Sequence, residues 1–91
     1  DLTDADLIGA NLSQSDLNHA VLTFAYLDRA NLSHANLTYA VLSGTNLSQS
    51  NLPSANLRDA DLHGAILCGE DLRGVDLSLA IVLDANLSSA D

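Results

Sequence analysis

The sequence predicts an all-β fold, a parallel β-solenoid in which the chain bends inward once every five residues. Three observations carry that prediction. Residues 2, 7, 12, 17 and so on to 87 form eighteen positions five apart, seventeen of them Leu and one Val82. At positions 5, 10, 15 and on to 90, thirteen of eighteen residues are Ala, with Ser15, Thr45, Ser50, Glu70 and Val75 as the exceptions. All five glycines (Gly9, Gly44, Gly64, Gly69 and Gly74) fall two residues after a central Leu, and the single proline, Pro53, falls one residue after.

The central leucines come first, because their spacing excludes both regular elements. Five residues of α-helix turn about 500°, or about 140° net, so the leucines would spiral around the whole surface. On a strand an odd period sends successive side chains to opposite faces. A chain that turns a corner in every repeat points each Leu and its preceding Ala to one axis, and the coils then stack on their neighbours. The predicted core is Leu7, Leu12, Leu17, Leu22, Leu27, Leu32, Leu37, Leu42, Leu47, Leu52, Leu57, Leu62, Leu67, Leu72, Leu77 and Val82.

The corners follow from the turn residues. Pro at the first and Gly at the second central position are the type II signature, since Pro presets φ and Gly tolerates φ > 0. Phe24, Tyr39 and Leu79 share the glycine position, so another turn type is expected at those corners. The residue before each central Leu is mostly Asn or Asp, a short polar side chain able to bond the neighbouring backbone at the bends and to form ladders up the coil.

The tandem phrase A-[DN]-L-x-x resembles the pentapeptide-repeat family over the whole chain. The resemblance implies a right-handed four-sided parallel β-helix with four repeats per coil, hence about 4.5 coils of 20 residues. The apolar residues in the Asn/Asp slot (Val21, Tyr26, Val41, Ile66 and Ile81) fall on two of four faces when the chain is folded at twenty. A three-sided arrangement sorts them into two of three classes, so this pattern discriminates only modestly. The Leu-centred, insertion-free repeats are similar to members from cyanobacteria and plastids.

Composition narrows the function. Twelve acidic residues against three arginines and no lysine give a formal charge of -9, which repels nucleic acid and anionic membrane. No apolar run approaches the length of a membrane span. The lone cysteine, Cys68, cannot form an internal disulfide. A single domain over residues 1–91, part of a longer protein, is expected. Compartment is not encoded; the cytoplasm is favoured, with the periplasm or thylakoid lumen as alternatives.

No catalytic, cofactor or metal site is expected. His19, His34 and His63 sit in outward slots on three different faces at the twenty-residue period, and no paired-ligand spacing occurs. Repeated surfaces do not converge on one concave site. Ice binding would call for regular Thr ladders, and Thr occurs only at 3, 23, 38 and 45. The candidate interaction face is the apolar strip of Val21, Phe24, Tyr26, Val41, Ile66, Ile81 and Leu83. It points to a non-enzymatic structural or interaction module with an unidentified protein partner, or to a homodimer through this face or through the coil ends. The alternative implied by the resemblance is an acidic DNA mimic that binds a type II topoisomerase such as gyrase. Glu70 is the atypical residue of the inward slot; burying its charge would be expensive, so its side chain is expected to swing outward past Gly69 toward Arg73.

Overall fold

A computed structural model describes all 91 residues. Its unit is the corner. At every repeat the N–H of the inward residue donates to the C=O of the central residue three positions earlier, from Ala5 to Leu2 through Ala90 to Leu87, at 2.9–3.2 Å. These bonds close eighteen β-turns. The residue at the third turn position has positive φ at all of them. Gly supplies it at five corners; thirteen others hold residues with a Cβ, including Phe24 (57°), Tyr39 (58°) and Leu79 (62°). The expectation of a second turn type at those three corners is therefore wrong. A left-handed conformation disfavours an L-residue by about 1–2 kcal/mol, and two inter-coil bonds per corner outweigh it.

Those inter-coil bonds fix the register. Where a coil stacks in register, the N–H of the central residue donates to the C=O nineteen positions on, as in Leu22 to Val41 at 2.7 Å, and the Asn/Asp-slot N–H donates twenty-one positions back, as in Val41 to Ala20 at 2.9 Å; Leu52 and Asp71 are the exceptions within the stack. Parallel bridges consequently join residues twenty apart, from Asp6 with Tyr26 to Ile66 with Asn86. Twenty residues divided into five-residue repeats make four sides per coil. The molecule measures 27 × 22 × 21 Å, a stubby block little longer than it is wide.

The Asn/Asp slot shapes the bends. Its Oδ1 accepts the N–H two residues on in twelve repeats, among them Asn36 with Thr38 at 3.2 Å and Asp61 with His63 at 2.9 Å. Amide side chains also bond up the stack: Asn36 Nδ2 donates to Asp16 Oδ1 at 3.0 Å, and Asn51 Nδ2 to Asn31 Oδ1 at 2.9 Å.

Ten leucines from Leu22 to Leu67 and seven alanines form the fully buried core. Leu7, Leu12, Leu17, Leu72 and Leu77 pack against it half-buried. Val82 is 42% exposed, more than any other residue of the predicted core. Thr45 is buried in an alanine slot, and its hydroxyl satisfies itself by donating to Leu22 C=O at 2.7 Å.

Glu70 also departs from expectation. It does not swing outward; it is 4% exposed, and its carboxylate accepts the N–H of Gln49 in the adjoining coil. Across this wall the ladder is interrupted. The N–H groups of Leu52, Ser54 and Asp71 make no backbone hydrogen bond to the stacked coil, whereas their counterparts one coil earlier, Leu32, His34 and Asn51, all do. The bridge series running Asn11, Asn31, Asn51 stops before Asp71.

Candidate functional site: an exposed apolar face

Because Leu and Ala turn inward, only the Asn/Asp slot and the two turn positions of each repeat face solvent. Of the predicted interaction residues, Val21 and Val41 are bridge partners and half-buried against one another. Phe24, Tyr26, Ile66, Ile81 and Leu83 are between 38% and 64% exposed. The Phe24 ring lies over Gly44 of the next coil.

The strip is not continuous. Asp61 bridges to Val41 on one side and Ile81 on the other, and Asn46 stands in the same way between Tyr26 and Ile66. The carboxylate of Asp61 is held there by the Ser43 hydroxyl at 3.0 Å and the His63 N–H. Two apolar groups result: Val21, Phe24, Tyr26 and Val41 in the earlier coils, and Ile66, Ile81 and Leu83 in the later ones. Apolar exposure also extends beyond the predicted face, to Ile8, Tyr39 and Leu79. Tyr39 stacks on the ring of His19, with centroids 5.0 Å apart and planes within 9°. The period of twenty was the signal for this pair, since it places residues 19 and 39 at one corner of adjacent coils.

The remaining chemistry-bearing residues are dispersed. The three histidines occupy separate columns at the twenty-residue register, and no group of three or more His, Cys, Asp or Glu converges on a metal position. Cys68 is exposed and unpaired, its Sγ accepting a weak bond from the Ser88 hydroxyl at 3.3 Å. Arg58 pairs with Asp59 at 3.3 Å and Arg73 with Asp71 at 2.6 Å. The Arg73 guanidinium, donating through two nitrogens, pulls the Asp71 carboxyl down to about 2. Hydrogen bonds from Ser78, side chain first and then backbone, lower Asp76. Burial pushes the Glu70 carboxyl up, against the opposing hydrogen bonds from Gln49 and Ser50. No helix is long and apolar enough to cross a membrane.

Four sides per coil, five residues per side and no insertion in any coil together define a narrow class of solenoid. The family model for pentapeptide repeats matches residues 1–38, 15–53 and 55–91. The chain belongs to the pentapeptide-repeat family. Among solved pentapeptide-repeat structures it is similar to HetL, involved in heterocyst differentiation regulation, from the cyanobacterium Nostoc sp. strain PCC 7120. That likeness has 29% identity and a TM-score of 0.58, over 98% of this chain and 54% of that one. It is similar to Rfr23 from the cyanobacterium Cyanothece 51142, with 38% identity and a TM-score of 0.54, over 97% of this chain and 58% of that one. A pentapeptide repeat protein of the Arabidopsis thaliana thylakoid lumen shares the fold, with a TM-score of 0.61 at 23% identity over 98% of this chain and 62% of that one. The chain thus spans between 54% and 62% of the length of these pentapeptide-repeat structures. No curated protein matches it.

Proposed function

We propose that this chain is a non-enzymatic interaction module, a right-handed solenoid of about 4.5 coils whose hydrogen-bonded walls hold apolar side chains out to a protein partner. The observation that supports this reading is the exposure of Phe24, Tyr26, Ile66, Ile81 and Leu83 on a backbone locked by inter-coil bonds. Apolar side chains held rigidly in solvent lose little conformational entropy when covered, which favours association. Self-association is the directly testable form. Sedimentation velocity over rising concentration is expected to show a dimer in the wild type that Phe24→Ser with Ile81→Glu abolishes, while circular dichroism shows the variant still folded. A monomer at every concentration, or a dimer indifferent to both substitutions, removes the face as a self-interface.

A DNA-mimic reading has only the acidic balance, a formal charge of -9, behind it. A gyrase supercoiling assay separates the two. The interaction-module reading expects no inhibition at excess protein.

A further inference from the structure

The interruption of the ladder around Glu70 is confined to one wall. The same two coils remain bonded on the neighbouring sides, where Leu57 donates to Asp76 C=O at 2.8 Å and Leu62 to Ile81 C=O at 2.8 Å. On the interrupted wall, Gln49 N–H is diverted from its register partner, the Cys68 carbonyl, to the Glu70 carboxylate, and Leu52, Ser54 and Asp71 have no backbone acceptor. Beside the carboxylate, Ser50 Oγ is buried without a hydrogen bond of good geometry, although it faces the acid. Gly69 and Gly74 flank the segment with the largest φ values of any corner, both +75°.

We infer that Glu70 makes the wall between Asn51–Ser54 and Asp71–Gly74 a proton-operated gap, open while the carboxylate is charged and closed when it takes up a proton. The charged carboxylate needs donors, takes Gln49 N–H from the ladder and leaves the wall unzipped. The neutral acid gives its O–H to Ser50 Oγ and accepts the serine hydroxyl in return. Gln49 N–H then returns to Cys68 C=O, and Leu52, Ser54 and Asp71 re-enter register.

Burial favours uptake, against the hydrogen bonds from Gln49 and Ser50. On its own coil Glu70 has Asp71, paired with Arg73 and so not free to release that guanidinium. From the next coil Asp91 stacks above, its N–H donating to Glu70 C=O at 3.1 Å. From the coil below come only the uncharged Gln49, Ser50 and Asn51. A carboxyl raised in the folded state stabilises the wall below its folded value, and that stability is lost as pH rises from 4.5 through it. Asp71, with its carboxyl near 2, stays charged throughout this window.

Residue-resolved amide exchange tests the gap, with Leu57 and Asp76 amides as internal references. After correction for intrinsic rates, protection of Leu52, Ser54 and Asp71 is expected to rise roughly tenfold or more from a pH well above the Glu70 midpoint, measured by carbon-13 titration, to a pH well below it. In Glu70→Gln, which carries no titrating group, protection is expected to be the same at both pH values. A wild type without pH dependence at these amides, or a dependence that survives in Glu70→Gln, overturns the inference. So does a carbon-13 titration of the wild-type Glu70 carboxyl with a midpoint at or below 4.5, a readout that needs no variant to fold.

Discussion

The ring of Phe24 occupies the space that a Cβ on Gly44, one coil away, would fill. Both residues are third in their turns and both have positive φ, 57° and 66°. A corner without a side chain thus becomes the seat for the aromatic ring of the corner beneath it.

Two alanine substitutions separate the backbone effect from the contact. Gly64 has open space where an added methyl would sit, so Gly64→Ala is expected to cost about 1 kcal/mol through φ alone. Gly44→Ala is expected to cost about 1 kcal/mol more, because it also displaces the ring. In a Phe24→Ser background the two should converge. Chemical denaturation of the two single variants, of Phe24→Ser and of the two double variants checks the cycle, and equal costs for Gly44→Ala and Gly64→Ala would show that the ring contact contributes nothing.

Leucine truncation is expected to depend on height in the stack. Leu47 is fully buried with coils on both sides, so Leu47→Ala is expected to lose about 2–5 kcal/mol. Leu87 is half-buried at the end of the stack, so Leu87→Ala is expected to lose well under half as much. Urea midpoints of the two variants measure the difference.

Asn36 does two things at once, accepting from Thr38 and donating to Asp16. Asn36→Asp keeps the first and turns the second into a like-charge contact. Its stability is expected to fall by about 1 kcal/mol at neutral pH and to recover with added salt or on acidification. Loss that is indifferent to salt would point to packing in place of charge.

The Asp71–Arg73 pair sets an acid limb. Its carboxyl lies at about 2, well below 3.8, so the interaction is present above 3.8 and is lost as pH falls through 2. In Arg73→Gln the Asp71 titration, followed by carbon-13 shifts, is expected to move up toward the ordinary aspartate value. Both groups are exposed, so little change in overall stability accompanies it.

Much of the architecture was legible because the repeat acts on every residue at once. A period of five that fits neither helix nor strand requires a bend per repeat, and the inward Leu and Ala, the turn positions and the bonding role of Asn/Asp all follow from that bend. The exposed strip was legible in its members but not in its continuity. Asp61 and Asn46 enter the columns only once the side count is settled, and the five-residue pattern tolerates three sides as well as four.

The sequence by itself determined that the chain coils, which residues turn inward and which remain for solvent. Only the tertiary structure decided the twenty-residue register, through bonds between residues nineteen and twenty-one apart that no local preference encodes. It also decided that Phe24, Tyr39 and Leu79 adopt the glycine conformation, since the stacked coils impose one corner shape against each residue's own preference. Glu70 shows the same hierarchy in reverse. Desolvation argues locally for an outward side chain, yet the stack keeps it buried and yields part of a wall to bond it, because neighbouring walls hold the coils together around the defect.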